Sequence, residues 1–428
     1  MSPFERVCQA IDSKQNIFLS GVGGCGKSYL LKQLYAHYKD KCKCILSSTT
    51  GISAYNLGGI TIHSWTKLVI PSNLDNVEKW ATDLIKRLKK KTHIVKRYKG
   101  IKLIFVDEVS MMGSNYLDLF NYVCQQLRGN SEPFGGIQMV LGGDMMQLPP
   151  VKDDYPFESE SWQQLQLKYF RLTKAWRFDH QDWVDLLHRA RLGALTNDDI
   201  SKLQSRVNKV ENSIFCPIIL SSRNEQVQQI NAEKLRTNEN ESVFFTAKDY
   251  MAIVDIDDED DILDLKPTEL SSDITQQFMV DNQLELKIGC QVMLLANLDV
   301  EGGFTNGTRG IVYSLKGGTV GVQFESGQKD VGVHYFKQEY KGLHYIRAMI
   351  PLKLAFATSI HKSQSLTLSS VQIDIGSDVF TEGQSYVALS RCKSLEGLYI
   401  TKLDCSKIKP NAKALKFEKQ FLKLAHPM

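Results

Sequence analysis

Lys27 and Ser28 close the run Gly21-Val22-Gly23-Gly24-Cys25-Gly26-Lys27-Ser28, whose residue types and spacing suit a nucleoside triphosphate. Glycines let successive backbone N–H groups turn onto phosphate oxygens, the lysine reaches the β- and γ-phosphates, and the serine hydroxyl can hold Mg²⁺. The expected nucleotide-contacting set is Gly23, Gly24, Cys25, Gly26, Lys27, Ser28 and Tyr29. Further along, Leu103-Ile104-Phe105-Val106 ends in Asp107-Glu108. Asp107 could hold Mg²⁺ in a sphere shared with Ser28, and Glu108 could orient and deprotonate the water that attacks the γ-phosphate. The second carboxylate points to hydrolysis and not to binding alone.

Such a loop needs a strand before it and a helix after it, and the chain supplies both in the apolar Ile17 to Leu19 and the helical stretch Tyr29 to Tyr38. The helix also aims its positive end at the phosphates. Over the first 176 residues, strand candidates Ile17 to Ser20, Cys44 to Ser47, Leu103 to Val106 and Met139 to Gly142 alternate with helical stretches. That alternation predicts a parallel sheet covered by helices. A second such unit is expected after Arg177, with strands Pro217 to Leu220, Val371 to Ile375 and Leu398 to Thr401. Residues 237–345 interrupt it with short β-rich segments and turns at Asn306-Gly307 and Gly317-Gly318, the pattern of a small inserted barrel or sheet. Two α/β lobes would leave a cleft into which the loop opens.

The 428 residues are 43% hydrophobic and 23% charged, enough to bury a sizeable core and to make roughly two to four domains. No apolar stretch approaches a membrane span and Met1 to Asn16 lacks the apolar centre of a secretory signal, so a soluble intracellular protein without a membrane partner is expected. The nine cysteines are scattered without a paired metal pattern, and Cys42-Lys43-Cys44 reads as strand packing. Net charge is +4, but residues 1–100 hold 17 Lys and Arg against 6 Asp and Glu (17 − 6 = +11), and residues 201–300 hold 9 against 18 (9 − 18 = −9). The run Lys86-Arg87-Leu88-Lys89-Lys90-Lys91, with Lys96, Arg97 and Lys99, could face a phosphate backbone or be a solvated helix face. The acidic stretch Asp255 to Asp264 reads as an exposed connection, since it lacks the glycine and spaced ligands of a calcium loop.

The order of motifs resembles the superfamily one, type B DNA helicases, and within them the petite-integration-frequency (PIF-type) group. After the loop come Ser48-Thr49-Thr50-Gly51-Ile52-Ser53-Ala54 and Asn56 to Trp65. Asp107-Glu108-Val109-Ser110-Met111-Met112 follows, then Pro133 to Gln138 and Gly142-Gly143-Asp144-Met145-Met146-Gln147-Leu148-Pro149-Pro150-Val151. The second half carries Leu286 to Leu294, Thr305 to Gly310, Ala357 to Thr367 and Tyr386-Val387-Ala388-Leu389-Ser390-Arg391.

The resemblance implies two RecA-like parallel-sheet lobes, with a small SH3-like β insertion in the second and a minor insertion in the first. The boundaries would be 1–63 and 76–176 for the first lobe, 64–75 for its wedge, 177–236 and 346–428 for the second lobe, and 237–345 for the SH3-like insertion. It implies an ATP- and Mg²⁺-dependent helicase moving 5′ to 3′ on single-stranded DNA and opening 5′-tailed duplexes, as a monomer or as a dimer on DNA. Lys27, Glu108, Gln147, Arg177 and Arg391 would form the catalytic set, with Ser28 and Asp107 on the metal. Gln147 would bond the γ-phosphate or the water, and Arg177 and Arg391 would bring charge to the transition state from the second lobe. Thr49, Thr50, His63, Trp65, Pro149, Thr358, Ser359, His361 and Lys362 would grip the strand through phosphates and bases.

Departures from the family are visible. Ser2-Pro3-Phe4-Glu5-Arg6 stands where the family carries an adenine-reading glutamine, Met145-Met146 where aromatics are frequent, Ser365 where glycine is usual, and Cys25 where a small or hydroxyl residue is commoner. The Cys25 thiol is expected either to be reactive, at a helix N-terminus among phosphate-facing amides, or to be turned away and inert. Two other readings of the loop remain: an ATPase that clamps single strands without unwinding, and a metabolite kinase, which would leave Arg391, His63 and the second lobe unexplained.

Overall fold

A computed structural model describes every residue except 69–76, 151, 175, 177, 179, 210–213, 253–261, 263, 276–277, 279, 341–342 and 365. Chain contacts divide the molecule into two compact units, Met1–Thr196 with Thr381–Ser390 and Ile408–Met428, and Asn197–Phe380 with Arg391–Lys407.

The first unit is built on strands β1 (Ile17–Gly21), β2 (Cys44–Ser48), β3 (Ile60–Thr61), β4 (Leu103–Asp107), β5 (Gln138–Gly143) and β6 (Lys168–Leu172). With the C-terminal strand His426–Pro427 they form one sheet in the order C-terminal strand, β6, β1, β5, β4, β2, β3. Every pairing in it is parallel. A parallel sheet is covered on both faces, which explains why β1 and β4 are uninterrupted apolar runs. On one face Ile17, Leu19 and Phe105 meet Val7, Leu31 and Leu34; on the other Phe18, Ile104 and Val106 join Phe120 and Trp162.

The chain end differs from the expectation that residues 346–428 belong wholly to the second lobe. The helix Ala412–Leu424 brings Phe417 and Phe421 to 6.0 and 5.6 Å from the Phe18 ring, and His426–Pro427 then pairs with β6. The helix Gln181–Leu192 and residues 381–390 also group with the first unit. Of the expected wedge at 64–75, residues 69–75 lie outside the described residues, and Ser64 to Thr66 finish the short helix Ile62–Thr66.

The second unit has a parallel sheet in the order Ala357–Ser359, Ile218–Ser221, Val371–Ile375, Leu398–Leu403. Its insertion is a five-stranded antiparallel sheet, ordered Gly327–Val331, Thr319–Phe324, Arg309–Lys316, Gln291–Leu294, Leu352–Leu354. It closes over Val292, Leu294, Val312, Val320, Val322 and Phe324. Gly317 and Gly318, at φ 64° and 79°, make the two-residue hairpin that requires left-handed backbone. A three-stranded antiparallel sheet of Lys248–Ala252, His334–Tyr340 and Leu343–Met349 stands beside these. Most of the acidic stretch 255–264 lies outside the described residues. Among the described residues no helix is long and apolar enough to cross a membrane.

Candidate active site and nucleic-acid interface

The phosphate loop leaves the C-terminal end of β1, where an α/β sheet presents its ligand site. Gly24 and Gly26 take φ of 81° and 86°, and Gly26 caps the helix Lys27–Tyr38, so the turn depends on residues without a Cβ. A Cβ on Gly21 would meet the Cys25 sulfur and the Leu172 carbonyl oxygen, each at 2.6 Å. Cys25 is 2% exposed, with its thiol packed inside the loop. Burial favours the inert alternative for this thiol.

Lys27 Nζ donates to the carbonyl oxygens of Gly21 (2.8 Å) and Val22 (3.2 Å). Burial alone would lower its pKa, but Cys25, Asp144, Glu108 and Asp107 together raise it, so the ammonium is secure. Tyr29 projects into solvent, where its hydroxyl accepts from Gln33.

Ser28 Oγ donates to Asp107 Oδ2 at 2.5 Å, and Asp107 Oδ1 accepts from the Glu108 amide at 2.9 Å. Burial and the neighbouring Glu108 push the Asp107 carboxyl up to about 6, against the pull of Ser28, the Glu108 amide and Lys27. The Ser28 hydroxyl and Asp107 carboxylate are hard oxygen donors that converge at one point, a fit for Mg²⁺. Glu108 is buried and sits at φ 54°, ψ 38°, a left-handed conformation that costs a non-glycine residue on the order of 1 kcal/mol. The adjoining Thr49 hydroxyl donates to the Glu108 carbonyl (2.8 Å), tying an expected strand-gripping residue to the acidic pair.

Beyond β5, Asp144 is fully buried and held by Arg191, which donates to both its carboxylate oxygens and, through Nη1, to Glu418 at 2.8 Å. Burial would raise the Asp144 carboxyl, but Arg191 holds it below its ordinary value. Gln147 is 4% exposed and its amide donates to the Asp144 carbonyl. Sequence reasoning missed the Asp144, Arg191 and Glu418 cluster, because its members meet only after the chain returns from far downstream. It also passed over two other neighbours of the loop. Tyr386 Oη accepts from the Gly23 amide at 3.2 Å. Trp176, 70% exposed beneath the Lys174 ammonium, donates its amide to the Gly24 carbonyl. Arg177 lies outside the described residues.

The strand-gripping candidates divide. In the first unit, Thr50 caps the helix Gly51–Leu57 by accepting from the Ser53 amide, and Pro149 is half-buried. His63 is exposed, with its ring 4.4 Å from that of Tyr116. Trp65 is corrected: it is 4% exposed and packed against Tyr98 and Phe120, so its ring offers no face to a base and instead anchors the helix that carries His63.

In the second unit, Thr358 and Ser359 end the edge strand Ala357–Ser359 with buried side chains, and Ser359 Oγ accepts from the Lys362 amide at 3.2 Å. His361 is half-buried, and Lys362 is exposed. Arg391 is 1% exposed, and its Nη1 donates to the carbonyl oxygens of Ser363 (3.4 Å) and Leu366 (3.3 Å), so it is oriented by the same segment.

Residues 3–199 match the PIF1-like helicase family, and residues 269–315 match the family described as DNA helicase Pif1, 2B domain. The chain is 33% identical over 438 residues to the ATP-dependent DNA helicase PIF1 of Xenopus laevis, spanning 97% of this chain. The chain belongs to the PIF1-like helicase family. It spans 64% of the length of that curated relative. Among solved structures, the Pif1 helicase from Candida albicans is 28% identical with a TM-score of 0.78, covering 98% of this chain and 99% of that one. The Bacteroides Pif1 in complex with ADP-AlF3 and single-stranded DNA is 26% identical with a TM-score of 0.66, covering 99% and 97%. This agreement over the whole chain bears out the expected architecture of RecA-like lobes.

Proposed function

We propose that this protein is an ATP-dependent DNA helicase that moves 5′ to 3′ on single-stranded DNA and opens 5′-tailed duplexes. The observation that carries the reading is the convergence of Ser28, Asp107 and Glu108 beside a complete phosphate loop, in a chain whose relatives include a named ATP-dependent DNA helicase.

Each side chain has a derived task. The loop amides and Lys27 receive the phosphates, and Lys27 exchanges the Gly21 and Val22 carbonyls for phosphate oxygens. Ser28 and Asp107 would hold Mg²⁺, which would supply positive charge against the phosphates. Glu108, held in a left-handed backbone conformation at the end of β4, takes a proton from the attacking water. Gln147 positions that water or the γ-phosphate. Arg391 supplies transition-state charge, and Arg177 is assigned the same role on sequence grounds.

The strand is held through phosphates by Thr49, Thr50 and Lys362, with His63, Pro149 and His361 against bases. Thr358 and Ser359, buried at the strand end, act by presenting the segment that carries His361 and Lys362. The DNA reading is supported by the Bacteroides relative solved with single-stranded DNA. The insertion within 237–345 is assigned as the family's 2B element, and the protein works as a monomer or as a dimer on DNA.

Unwinding of 5′-tailed against 3′-tailed duplexes, with and without ATP and Mg²⁺, tests this. ATP-dependent opening of the 5′-tailed substrate alone is expected. DNA-stimulated hydrolysis without opening would make the protein a clamp, and hydrolysis indifferent to DNA would remove the nucleic-acid reading.

A further inference from the structure

Three ligand-facing donors of the phosphate loop are each parked on a protein partner. Lys27 rests on Gly21 and Val22, Ser28 on Asp107, and the Gly23 amide on the hydroxyl of Tyr386. The first two partners belong to the loop itself and to the end of β4. Tyr386 arrives from 363 residues downstream, on the helix Gln384–Leu389, and is 4% exposed.

The polarity of this contact is fixed by what lies behind it. Tyr386 Oη stands 3.3 Å from Asp144 Oδ2, and Asp144 is a carboxylate clamped by Arg191. An ionised carboxylate can only accept, so the single hydroxyl hydrogen of Tyr386 goes to Asp144 and an oxygen lone pair faces Gly23 N–H. The chain Gly23 N–H to Tyr386 Oη to Asp144 to Arg191 therefore runs in one direction. The helix that carries Tyr386 is itself seated on the turn that follows β5. A Cβ on Gly383, its N-cap residue at φ 81°, would come within 3.2 Å of the Met146 and Gln147 carbonyl oxygens. The Gly383 amide is taken by the Lys409 carbonyl.

We propose that Tyr386 is a positioning residue that latches the phosphate loop through the Gly23 amide and yields that amide to the γ-phosphate of a bound triphosphate. The inference rests on the loop's being a nucleotide site. Amides at the N-terminus of the loop helix face the α- and β-phosphates. Gly23 stands three residues ahead of the Gly26 cap, at the far end of the loop, where the third phosphate of a triphosphate lies and a diphosphate does not reach. One N–H donates to one strong acceptor, so γ-phosphate and Tyr386 hydroxyl compete for it. Release leaves Tyr386 bonded to Asp144 and unlocks the helix whose next-but-one residue is Arg391. The latch thus distinguishes triphosphate from diphosphate.

The full chain and its Tyr386→Phe variant are titrated, with Mg²⁺, with a non-hydrolysable ATP analogue and with ADP. Removing the competing acceptor should tighten the analogue roughly two- to tenfold, the worth of one neutral hydrogen bond, and leave ADP unchanged. In parallel, 3-fluorotyrosine placed at 386 should give a ¹⁹F resonance that moves with the analogue and not with ADP, a readout that survives even if the Phe variant fails to fold. Equal shifts in both affinities, or no shift, together with a fluorine signal indifferent to the third phosphate, would overturn the latch and leave Tyr386 as packing. Absence of nucleotide binding by the parent chain would overturn the nucleotide site itself, and the latch with it.

Discussion

Arg191 and Asp144 form a two-oxygen ion pair at the heart of the first unit, with Nη2 2.7 Å from Oδ1 and Nε 3.2 and 3.3 Å from the two carboxylate oxygens. Both side chains are buried, and Glu418 on the C-terminal helix binds the same guanidinium through Nη1, so one cation serves two carboxylates. The pair joins the turn after β5, the helix Gln181–Leu192 and the returning chain end.

Removing the cation leaves two carboxylates in a space closed to water. Arg191→Ala is therefore expected to lower stability by about 3–5 kcal/mol, as breaking a buried pair from one side does. Chemical denaturation measures it, and a loss under about 1 kcal/mol would show that water or rearrangement replaces the guanidinium.

Lys27→Ala should abolish hydrolysis and unwinding while single-strand binding persists, because Lys27 faces the loop and the strand contacts lie elsewhere. Glu108→Gln should keep nucleotide and Mg²⁺ binding through Ser28 and Asp107 and lose turnover by about two to four orders of magnitude. Asp107→Asn with activity intact would remove the metal assignment. Nucleotide titration beside a phosphate-release assay separates the three.

For Arg391→Ala, hydrolysis should fall by roughly a thousandfold with nucleotide affinity largely kept, the pattern of an arginine that acts on the phosphoryl transition state. Its bonds to the Ser363 and Leu366 carbonyls mean some stability is lost as well, so melting is recorded alongside. Parallel loss of affinity and turnover would make it a ground-state ligand.

Lys353, on the strand Leu352–Leu354, is half-buried. Burial pushes its ammonium down to about 8, Lys362 adds repulsion, and Asp281 opposes both. Folded Lys353 thus holds its proton less firmly than in the unfolded chain, whose ordinary value is 10.5, and stability should rise as pH climbs from about 8 towards 10.5. A phosphodiester beside Lys353 and Lys362 reverses that preference. Single-strand affinity should fall as pH rises through about 8, and Lys353→Met should flatten the dependence and cut the salt slope by about one counterion. An unchanged slope would place Lys353 off the strand.

The seven strands named from the sequence are all present, because β1, β4 and β5 are buried on both faces and advertise themselves as apolar runs. The loop and its acidic pair were legible for a related reason: their chemistry is local, carried by neighbours in sequence. Trp65 was misread because an aromatic at the end of a motif looks the same whether it packs on Tyr98 or on a base. The contacts of Tyr386, Arg191 and Glu418 gave no signal, since each joins stretches far apart in the chain that spacing does not relate.

The left-handed backbone at Glu108 sets durability against reactivity. Asparagine tolerates that conformation far better than glutamate, and a shorter neutral side chain also removes one buried carboxylate from beside Asp107. Glu108→Asn should therefore yield a chain that melts at higher temperature and hydrolyses nothing. Such a result would locate a cost in stability at a single residue, the proposed base.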